Sequence, residues 1–155
     1  MQYQQPEACS CLCGQVNYSV TKPTLVRFYC HCTICQSVYQ KPFADATVIA
    51  GGGVVHSDGS QITYRKLRAY PNINRGFCPS CDMPVLALLP LVPGVGLTAM
   101  TLNFIPVHMY QNQTHVRPCD MHIFYDSRVA DIDDELPKHE GYLRSQAAVV
   151  GKLIF

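Results

Sequence analysis

The chain has few charged residues and no excess of either sign. Charged residues make up 15% of its 155 positions, hydrophobic residues make up 48%, and the formal net charge is +1. A disordered chain combines low hydrophobicity with high net charge, so this composition indicates a globular protein. The basic residues are also scattered, whereas a nucleic-acid-binding surface needs them clustered, so we predict no nucleic-acid partner.

Long apolar stretches and targeting signals are missing too. The most apolar run, residues 85–97, contains Pro90 and Pro93 and is too short to cross a bilayer. The first residues carry neither the basic region nor the apolar stretch of a secretory signal. We therefore predict a cytoplasmic protein without a membrane partner.

Linkers and repeats are a third absence. The sequence has no Gly/Ser-rich linker, no block of like charges and no internal repeat, so nothing marks a domain boundary. We predict a single domain over residues 1–155, in agreement with the usual size of a domain. The sequence leaves the oligomeric state open.

Short runs of β-branched and aromatic residues between turn residues predict a mostly β protein. The predicted strands are residues 15–20, 25–29, 43–50, 61–67, 84–89, 96–102 and 121–125. In the first of them, Val16, Tyr18 and Val20 share one face because side chains alternate along a strand. Only residues 140–153 have apolar spacing typical of a helix, and Gly151 weakens that pattern.

Cysteine is abundant, and seven of the nine cysteines form three tight groups. The groups are Cys11 and Cys13, then Cys30, Cys32 and Cys35, then Cys78 and Cys81. Thiolates at these spacings converge on one point, as a soft divalent metal requires. Four ligands close a tetrahedral site and three leave one position open, so seven thiolates predict one structural and one chemically available zinc ion.

Disulfide bonds are the main alternative for these groups. The odd number of cysteines, the Cys-x-Cys spacing and the missing export signal favour metal binding in a reducing cytoplasm.

The residues around the cysteines carry a further signal. In chain order the motifs are Cys11-x-Cys13-Gly14-x-Val16-x-Tyr18, Cys30-His31-Cys32-x-x-Cys35, Pro42-Phe43, Phe77-Cys78-x-x-Cys81, Pro118, His122-Ile123 and Asp134-x-Leu136-Pro137. This ordered set resembles the glutathione-dependent formaldehyde-activating enzyme (CENP-V/GFA) family over most of the chain, with a core of about residues 9–137.

The resemblance implies a fold, two metal sites and an activity. The fold would be Mss4-like, with coiled antiparallel β-sheets stapled by zinc, to which the helical spacing of residues 140–153 adds a short C-terminal helix. A structural zinc would lie on Cys11, Cys13, Cys78 and Cys81, and a catalytic zinc on Cys30, Cys32 and Cys35. The family's activity is carbon–sulfur lyase chemistry, which forms or releases S-hydroxymethylglutathione, so the expected partner is a small thiol such as glutathione.

The chain departs from the family pattern near both sites. Residues 38–41 read Val-Tyr-Gln-Lys where a Ser-Gly pair usually precedes Pro42-Phe43, and residues 82–84 read Asp-Met-Pro where glycine usually follows the last cysteine. The expected tryptophan is also absent. None of these positions is a predicted zinc ligand, so the departures concern the substrate rather than the metal.

Two alternatives remain open for the second cysteine group and for function. His31, or another chain, could close a second structural site, although an extended segment would point His31 away from the metal that its neighbours share. The protein could also be a non-catalytic, zinc-stabilised binding module, because a fold does not fix a function. The chain lacks the basic extension expected of a chromatin-binding or microtubule-binding protein, which favours the enzyme.

Several other residues have both a structural and a functional interpretation. His122 is a hydrogen-bonded structural residue or an orienting partner of a ligand. Cys9 and Cys119 are expected to be buried apolar residues, although Cys9 is close enough to Cys11 to complicate the ligand assignment. Arg75 is a surface residue or a partner for a glutathione carboxylate, and Tyr39, like Phe43, is a core residue or a pocket wall.

Overall fold

Two β-sheets and two α-helices make up the described part of the chain. The structure is a computed structural model, and it describes residues 6–68, 73–91 and 101–154. The strands are β1 (Glu7–Ser10), β2 (Asn17–Val20), β3 (Thr24–Cys30), β4 (Ala44–Ile49), β5 (Val54–His56), β6 (Thr63–Arg65), β7 (Asn74–Phe77), β8 (Pro84–Pro90), β9 (Thr101–Pro106) and β10 (Met121–Ile123). The helices are α1 (Thr33–Tyr39) and α2 (Tyr142–Ile154), and 3-10 turns cover Val107–Met109, Gln113–His115 and Tyr125–Ser127. This architecture confirms the prediction of a mostly β protein with a C-terminal helix.

The strands form one small and one large sheet. The small sheet has the order β1-β2-β5, and the large sheet has the order β10-β3-β4-β9-β8-β7-β6. All of these neighbours are antiparallel except β10 and β3, which run parallel with Met121 opposite Phe28. The expected Mss4-like fold stays a prediction.

Most of the predicted strands contain or overlap an observed one. The overlaps are residues 15–20 with β2, 25–29 with β3, 43–50 with β4, 61–67 with β6, 84–89 with β8 and 121–125 with β10. Strand β10 ends at Ile123, before the predicted end at residue 125, because Phe124 has a left-handed backbone with φ of 52°. The predicted strand at 96–102 and the apolar run at 85–97 lie partly outside the described residues, and β9 begins at Thr101.

The prediction that only residues 140–153 are helical is wrong at α1. This helix has seven residues, so it is too short to show a helical period in the sequence. It begins because the Cys32 side chain accepts a hydrogen bond from the Cys35 N–H, and it ends at Gln40, which has a left-handed backbone with φ of 53°. In the part of the chain that the structure describes, no helix is long and apolar enough to cross a membrane.

The buried residues form two clusters, and a cysteine group lies at each. The first cluster contains Val16, Tyr18 and Val20 of the small sheet, all almost fully buried, as their alternation predicted. Cys11 and Cys78 belong to this cluster. The second cluster contains residues of β3 and β4, and α2 packs against it. Cys30 and Cys35 belong to this cluster.

Candidate metal centres

Four cysteines meet where turns from the two sheets face each other. Cys11 and Cys13 lie between β1 and β2, and Cys78 and Cys81 lie between β7 and β8. Their Sγ atoms lie within 4.8 Å of one another, with 3.4 Å between Cys11 and Cys13, 3.7 Å between Cys11 and Cys78, and 3.5 Å between Cys13 and Cys78. At a Zn–S distance of about 2.3 Å, the sulfurs of a tetrahedral site would be roughly 3.8 Å apart. This four-cysteine cluster could therefore hold a metal ion.

The two turns share a backbone hydrogen-bond pattern around the first cysteine of each pair. The Cys11 N–H donates to the Val16 carbonyl (3.1 Å), and the Cys78 N–H donates to the Met83 carbonyl (3.0 Å). The Val16 N–H also donates to Cys11 Sγ (3.3 Å), and the Cys81 N–H donates to Cys78 Sγ (3.5 Å). Burial raises the pKa of Cys11, but hydrogen bonds with the Val16 N–H and with the thiols of Cys13 and Cys78 bring the pKa down to about 6. The Gln15 backbone lowers the pKa of Cys13, but its contacts with Cys11 and Cys78 raise that pKa to about 12.

The departure at Asp82 has a local explanation. Asp82 has a left-handed backbone, with φ of 58°, and its N–H donates to the Cys78 carbonyl (2.8 Å). Glycine adopts this conformation without a steric cost, whereas aspartate is one of the few other residues that tolerate it. The Asp82 carboxylate pairs with Arg65 at 3.0 Å, at the surface. Asp82 therefore takes the backbone conformation that a glycine at this position would favour.

The second group forms a three-cysteine cluster where β3 passes into α1. Cys30 ends β3, Cys32 caps α1 and Cys35 lies in its first turn, so one short segment supplies all three sulfurs. Their Sγ atoms lie within 4.8 Å of one another, and Cys30 and Cys35 are buried. Three thiols are fewer than a tetrahedral metal requires, so a metal ion here would keep one position open.

Hydrogen bonds and a cation favour negative charge at this cluster. The pKa of Cys32 is lowered to about 2 because the thiols of Cys30 and Cys35 donate to its sulfur, while the pKa of Cys30 is raised well above its ordinary value. Arg75, on β7, places Nη2 4.0 Å from Cys35 Sγ. The set can thus stabilise one thiolate by itself, and a bound cation is what would allow all three to ionise.

His31 faces away from the cysteines and starts a buried hydrogen-bond chain. His31 Nε2 lies 2.8 Å from His122 Nδ1, and His122 Nε2 lies 2.7 Å from the carboxylate of Asp134, which also pairs with Lys138. A carboxylate only accepts, so His122 Nε2 carries the proton of its hydrogen bond to Asp134, whereas the donor between the two rings depends on their tautomers. Burial, together with His122, lowers the pKa of His31 to about 4, which keeps the His31 ring neutral at neutral pH.

The three-cysteine cluster lines a cavity of about 350 Å³. The sheet supplies one wall of this cavity, with Phe28 of β3, Ala46 of β4 and Phe104 of β9, and α2 supplies another with Val149 and Leu153. The residues of the four-cysteine cluster do not line it. Of the two clusters, therefore, the three-cysteine cluster is the one placed to meet a small molecule in this cavity.

The other residues singled out in the sequence lie around these centres. Cys9 is buried in the first core cluster, outside both cysteine sets, and burial raises its pKa to about 12. Cys119 is half-buried beside backbone carbonyls of β3 and β10, and burial raises its pKa to about 11. Tyr39 lines the cavity, whereas Phe43 packs against the rings of Tyr29 and His31.

Sequence reasoning missed two features of the cavity. Arg75 was considered as a partner for a substrate carboxylate, and its position beside Cys35 depends on the pairing of β7 with β8. The part played by α2 was also missed, although the apolar residues on one face of the predicted helix were the available signal.

Comparison with known proteins gives one family. The sequence model described as "Glutathione-dependent formaldehyde-activating enzyme" matches residues 7–127, a segment that includes both cysteine clusters. No curated protein matches the chain.

Proposed function

Because the chain belongs to the glutathione-dependent formaldehyde-activating enzyme family, we propose that it is a zinc-dependent carbon–sulfur lyase. It would form or cleave S-hydroxymethylglutathione or a related thiol adduct. The observation that carries this proposal is that the three-cysteine cluster lines a cavity, whereas the four-cysteine cluster does not. A closed site apart from this cavity suits folding, and an open site that lines the cavity suits chemistry.

The sulfur-rich donor sets suit zinc in both places. Cys11, Cys13, Cys78 and Cys81 would hold a structural zinc ion, and the three-cysteine cluster would hold a catalytic one. When bound there, the metal would supply a positive centre that favours the thiolate form of a substrate thiol.

The residues of the chain would contribute charge and a water-poor surrounding. Three thiolates around a divalent cation leave a net charge of −1, and the Arg75 guanidinium, 4.0 Å from Cys35 Sγ, opposes it. A partly water-excluding cavity strengthens this interaction because the local dielectric constant is lower than in water. The arrangement therefore helps a fourth anionic sulfur, that of the substrate, to approach.

The reaction itself needs no oxidant or reductant. In the forward direction, the glutathione sulfur forms a bond to the carbon of formaldehyde, the carbonyl π bond opens, the thiol proton leaves, and the new alkoxide oxygen takes a proton. The reverse direction breaks the same carbon–sulfur bond and restores the thiol and the aldehyde. Positioning and charge are the contributions that this site offers.

Exchange spectroscopy by NMR tests the proposal. Glutathione and formaldehyde combine spontaneously, so the informative quantity is the rate that zinc-loaded protein adds to the buffer rate. We expect a faster exchange with the wild-type chain and with Cys119→Ser, whose half-buried thiol lies outside both clusters. Cys32→Ser should abolish the added rate. A wild-type rate equal to that of buffer would overturn the assignment to glutathione and formaldehyde.

We also propose a reducing, cytoplasmic location. All nine cysteines are free in the structure, and clustered thiols persist for metal binding in a reducing compartment.

A further inference from the structure

The cavity beside the three-cysteine cluster has apolar walls. Its sheet wall carries alternate residues of neighbouring strands, including Ala44 and Ala46 of β4, Ala87 of β8 and Phe104 of β9. Alternation along each strand turns these residues to the same face, and the three alanines leave space that larger residues would fill. The volume of about 350 Å³ lies within the range of small-molecule sites.

The opposite wall is mostly apolar, although Tyr142 and Gln146 of α2 add polar groups to it. Helix α2 contributes Val149 and Leu153, which also pack against the second core cluster. At the end of the cavity formed by α1, Ile34 and Tyr39 stand beside the cysteines. A ligand whose sulfur lies at the thiols would therefore contact hydrocarbon along both the sheet and the helix.

Charged groups in the cavity are few and have one sign. Among the described residues that line it, Arg68 and Arg75 are charged, and none is an aspartate or a glutamate. Arg75 faces Cys35 Sγ at 4.0 Å and so opposes the charge of the thiolates, whereas Arg68 is exposed. The described lining residues thus include no acidic partner for a buried ammonium group.

Glutathione fits these walls poorly. At neutral pH it carries two carboxylates, an ammonium group and two amides, each of which needs a polar partner when it leaves water. Arg75 and the exposed Arg68 could each pair with one carboxylate, but the described lining residues include no acidic partner for the ammonium group, and burying that group without one is strongly unfavourable. An apolar carbon chain, in contrast, gains free energy from every methylene group that it removes from water.

We propose that the thiol substrate of this site has an apolar carbon skeleton, and that the adduct formed or cleaved is its hemithioacetal with a small aldehyde. This inference rests on the proposed carbon–sulfur lyase function and replaces glutathione as the preferred thiol. The sulfur would lie at the three-cysteine cluster, and the hydrocarbon would extend between the sheet and α2. Atoms balance as before: one carbon–sulfur bond forms, the carbonyl becomes a hydroxyl group, and the thiol proton is released as the oxygen is protonated.

Calorimetric binding to the zinc-loaded protein tests the proposal, with 1-propanethiol, 1-butanethiol, 1-pentanethiol and glutathione as probes. We expect the affinity of the alkanethiols to rise roughly fourfold with each methylene group, as burial of hydrocarbon predicts. We expect 1-pentanethiol to bind at least about tenfold more tightly than glutathione. Affinity that is independent of chain length, or that is highest for glutathione, would overturn the proposal.

A pair of alanine substitutions places the binding in the cavity. Ala87→Leu adds hydrocarbon to the sheet wall and should reduce the affinity for 1-pentanethiol by about tenfold or more. Ala147→Leu makes the same change at an exposed position of α2 that does not line the cavity, and it should bind like the wild-type chain. Equal affinities for the two variants would overturn the assignment to this cavity. Zinc content and circular dichroism would first confirm that both variants are folded.

The results separate failure of this inference from failure of the proposed function. If glutathione binds best and its exchange with formaldehyde is accelerated, the lyase proposal stands and the apolar substrate is wrong. If no thiol binds to the zinc-loaded protein, both proposals are wrong.

Discussion

The Sγ atoms of Cys11 and Cys78 lie 3.7 Å apart, although 67 positions separate the two residues in the chain. Cys11 follows a strand of the small sheet and Cys78 follows a strand of the large one, so a metal ion between them would cross-link the two sheets. The three-cysteine cluster differs in this respect, because all three of its cysteines lie within six consecutive residues. This difference leads to the first prediction.

Replacing a cysteine of the four-cysteine cluster should unfold the protein, whereas replacing one of the three-cysteine cluster should leave the fold intact. Structural zinc contributes roughly 10 kcal/mol or more, which is as much as the whole stability of many domains. We therefore expect Cys78→Ser to give insoluble or unfolded protein and Cys32→Ser to give folded protein without activity. Circular dichroism and thermal unfolding measure the effect, with Cys119→Ser as the control. Equal unfolding by Cys78→Ser and Cys32→Ser would show that the second site is structural too.

Replacing Asp82 with glycine should stabilise the protein. The left-handed backbone at this position, with φ of 58°, favours glycine by up to about 1 kcal/mol, and the exposed ion pair with Arg65 contributes little. Asp82→Val should destabilise it, because a β-branched residue fits this conformation worst. Urea unfolding of the two variants at constant zinc content compares them, and a less stable glycine variant would contradict the explanation.

Removing the Asp134 carboxylate, which accepts a hydrogen bond from His122, should lower the free energy of unfolding. Asp134→Ala leaves the buried Nε2–H of His122 without its acceptor, so we expect a loss of about 1–3 kcal/mol in the free energy of unfolding. The neighbouring Asp133 is exposed, and Asp133→Ala should change the free energy of unfolding by less than about 0.5 kcal/mol. Denaturant unfolding near neutral pH compares the variants. Equal free energies of unfolding for the two variants would contradict a stabilising role for the His31–His122–Asp134 hydrogen bonds.

The contribution of Asp134 should disappear in acid. Lys138 and His122 lower the pKa of the Asp134 carboxyl from 3.8 to about 2. Because the pKa is lower in the folded state, the stabilisation is complete above the unfolded pKa and is lost as the pH falls through the folded one. The difference in unfolding free energy between the wild-type chain and Asp134→Ala should therefore be constant above about pH 5 and shrink below about pH 4. A difference that grows in acid would reverse the expected sign.

Arg75 should assist thiol binding through its charge. Arg75→Gln removes the cation 4.0 Å from Cys35 Sγ, and we expect thiol affinity of the zinc-loaded protein to fall by roughly tenfold. Arg75→Lys should restore part of it, because lysine keeps the charge. Arg144→Gln, at an exposed position of α2, serves as the control. Calorimetry measures the affinities, and no loss with Arg75→Gln would show that the charge is unimportant.

Sequence reasoning reached features that depend on local spacing or on one face of one strand. The convergence of Cys30, Cys32 and Cys35 follows from their spacing, and the buried face of β2 follows from alternation. Helix α1 was not predicted because its seven residues are too few to show a helical period. Strand β7 was not predicted because Asn74–Phe77 includes an arginine and a glycine and lacks apolar alternation.

Contacts between residues that are distant in the sequence could not be predicted from the sequence pattern alone. The association of Cys11 and Cys13 with Cys78 and Cys81 came from the family resemblance rather than from spacing. His31 and His122 are 91 positions apart and meet because β10 pairs with β3. The apolar cavity appears only when the registers of β4, β8 and β9 place the alanines on one face.

Metal analysis with spectroscopy tests the two-site account most directly. Protein purified without chelator and resupplied with zinc should contain two zinc ions per chain, as the four-cysteine and three-cysteine clusters predict. After replacement of zinc by cobalt, the absorption of one cobalt site should respond to an added thiol and that of the other should not. One metal ion per chain, with Cys30, Cys32 and Cys35 open to alkylation even after zinc is added, would contradict the account.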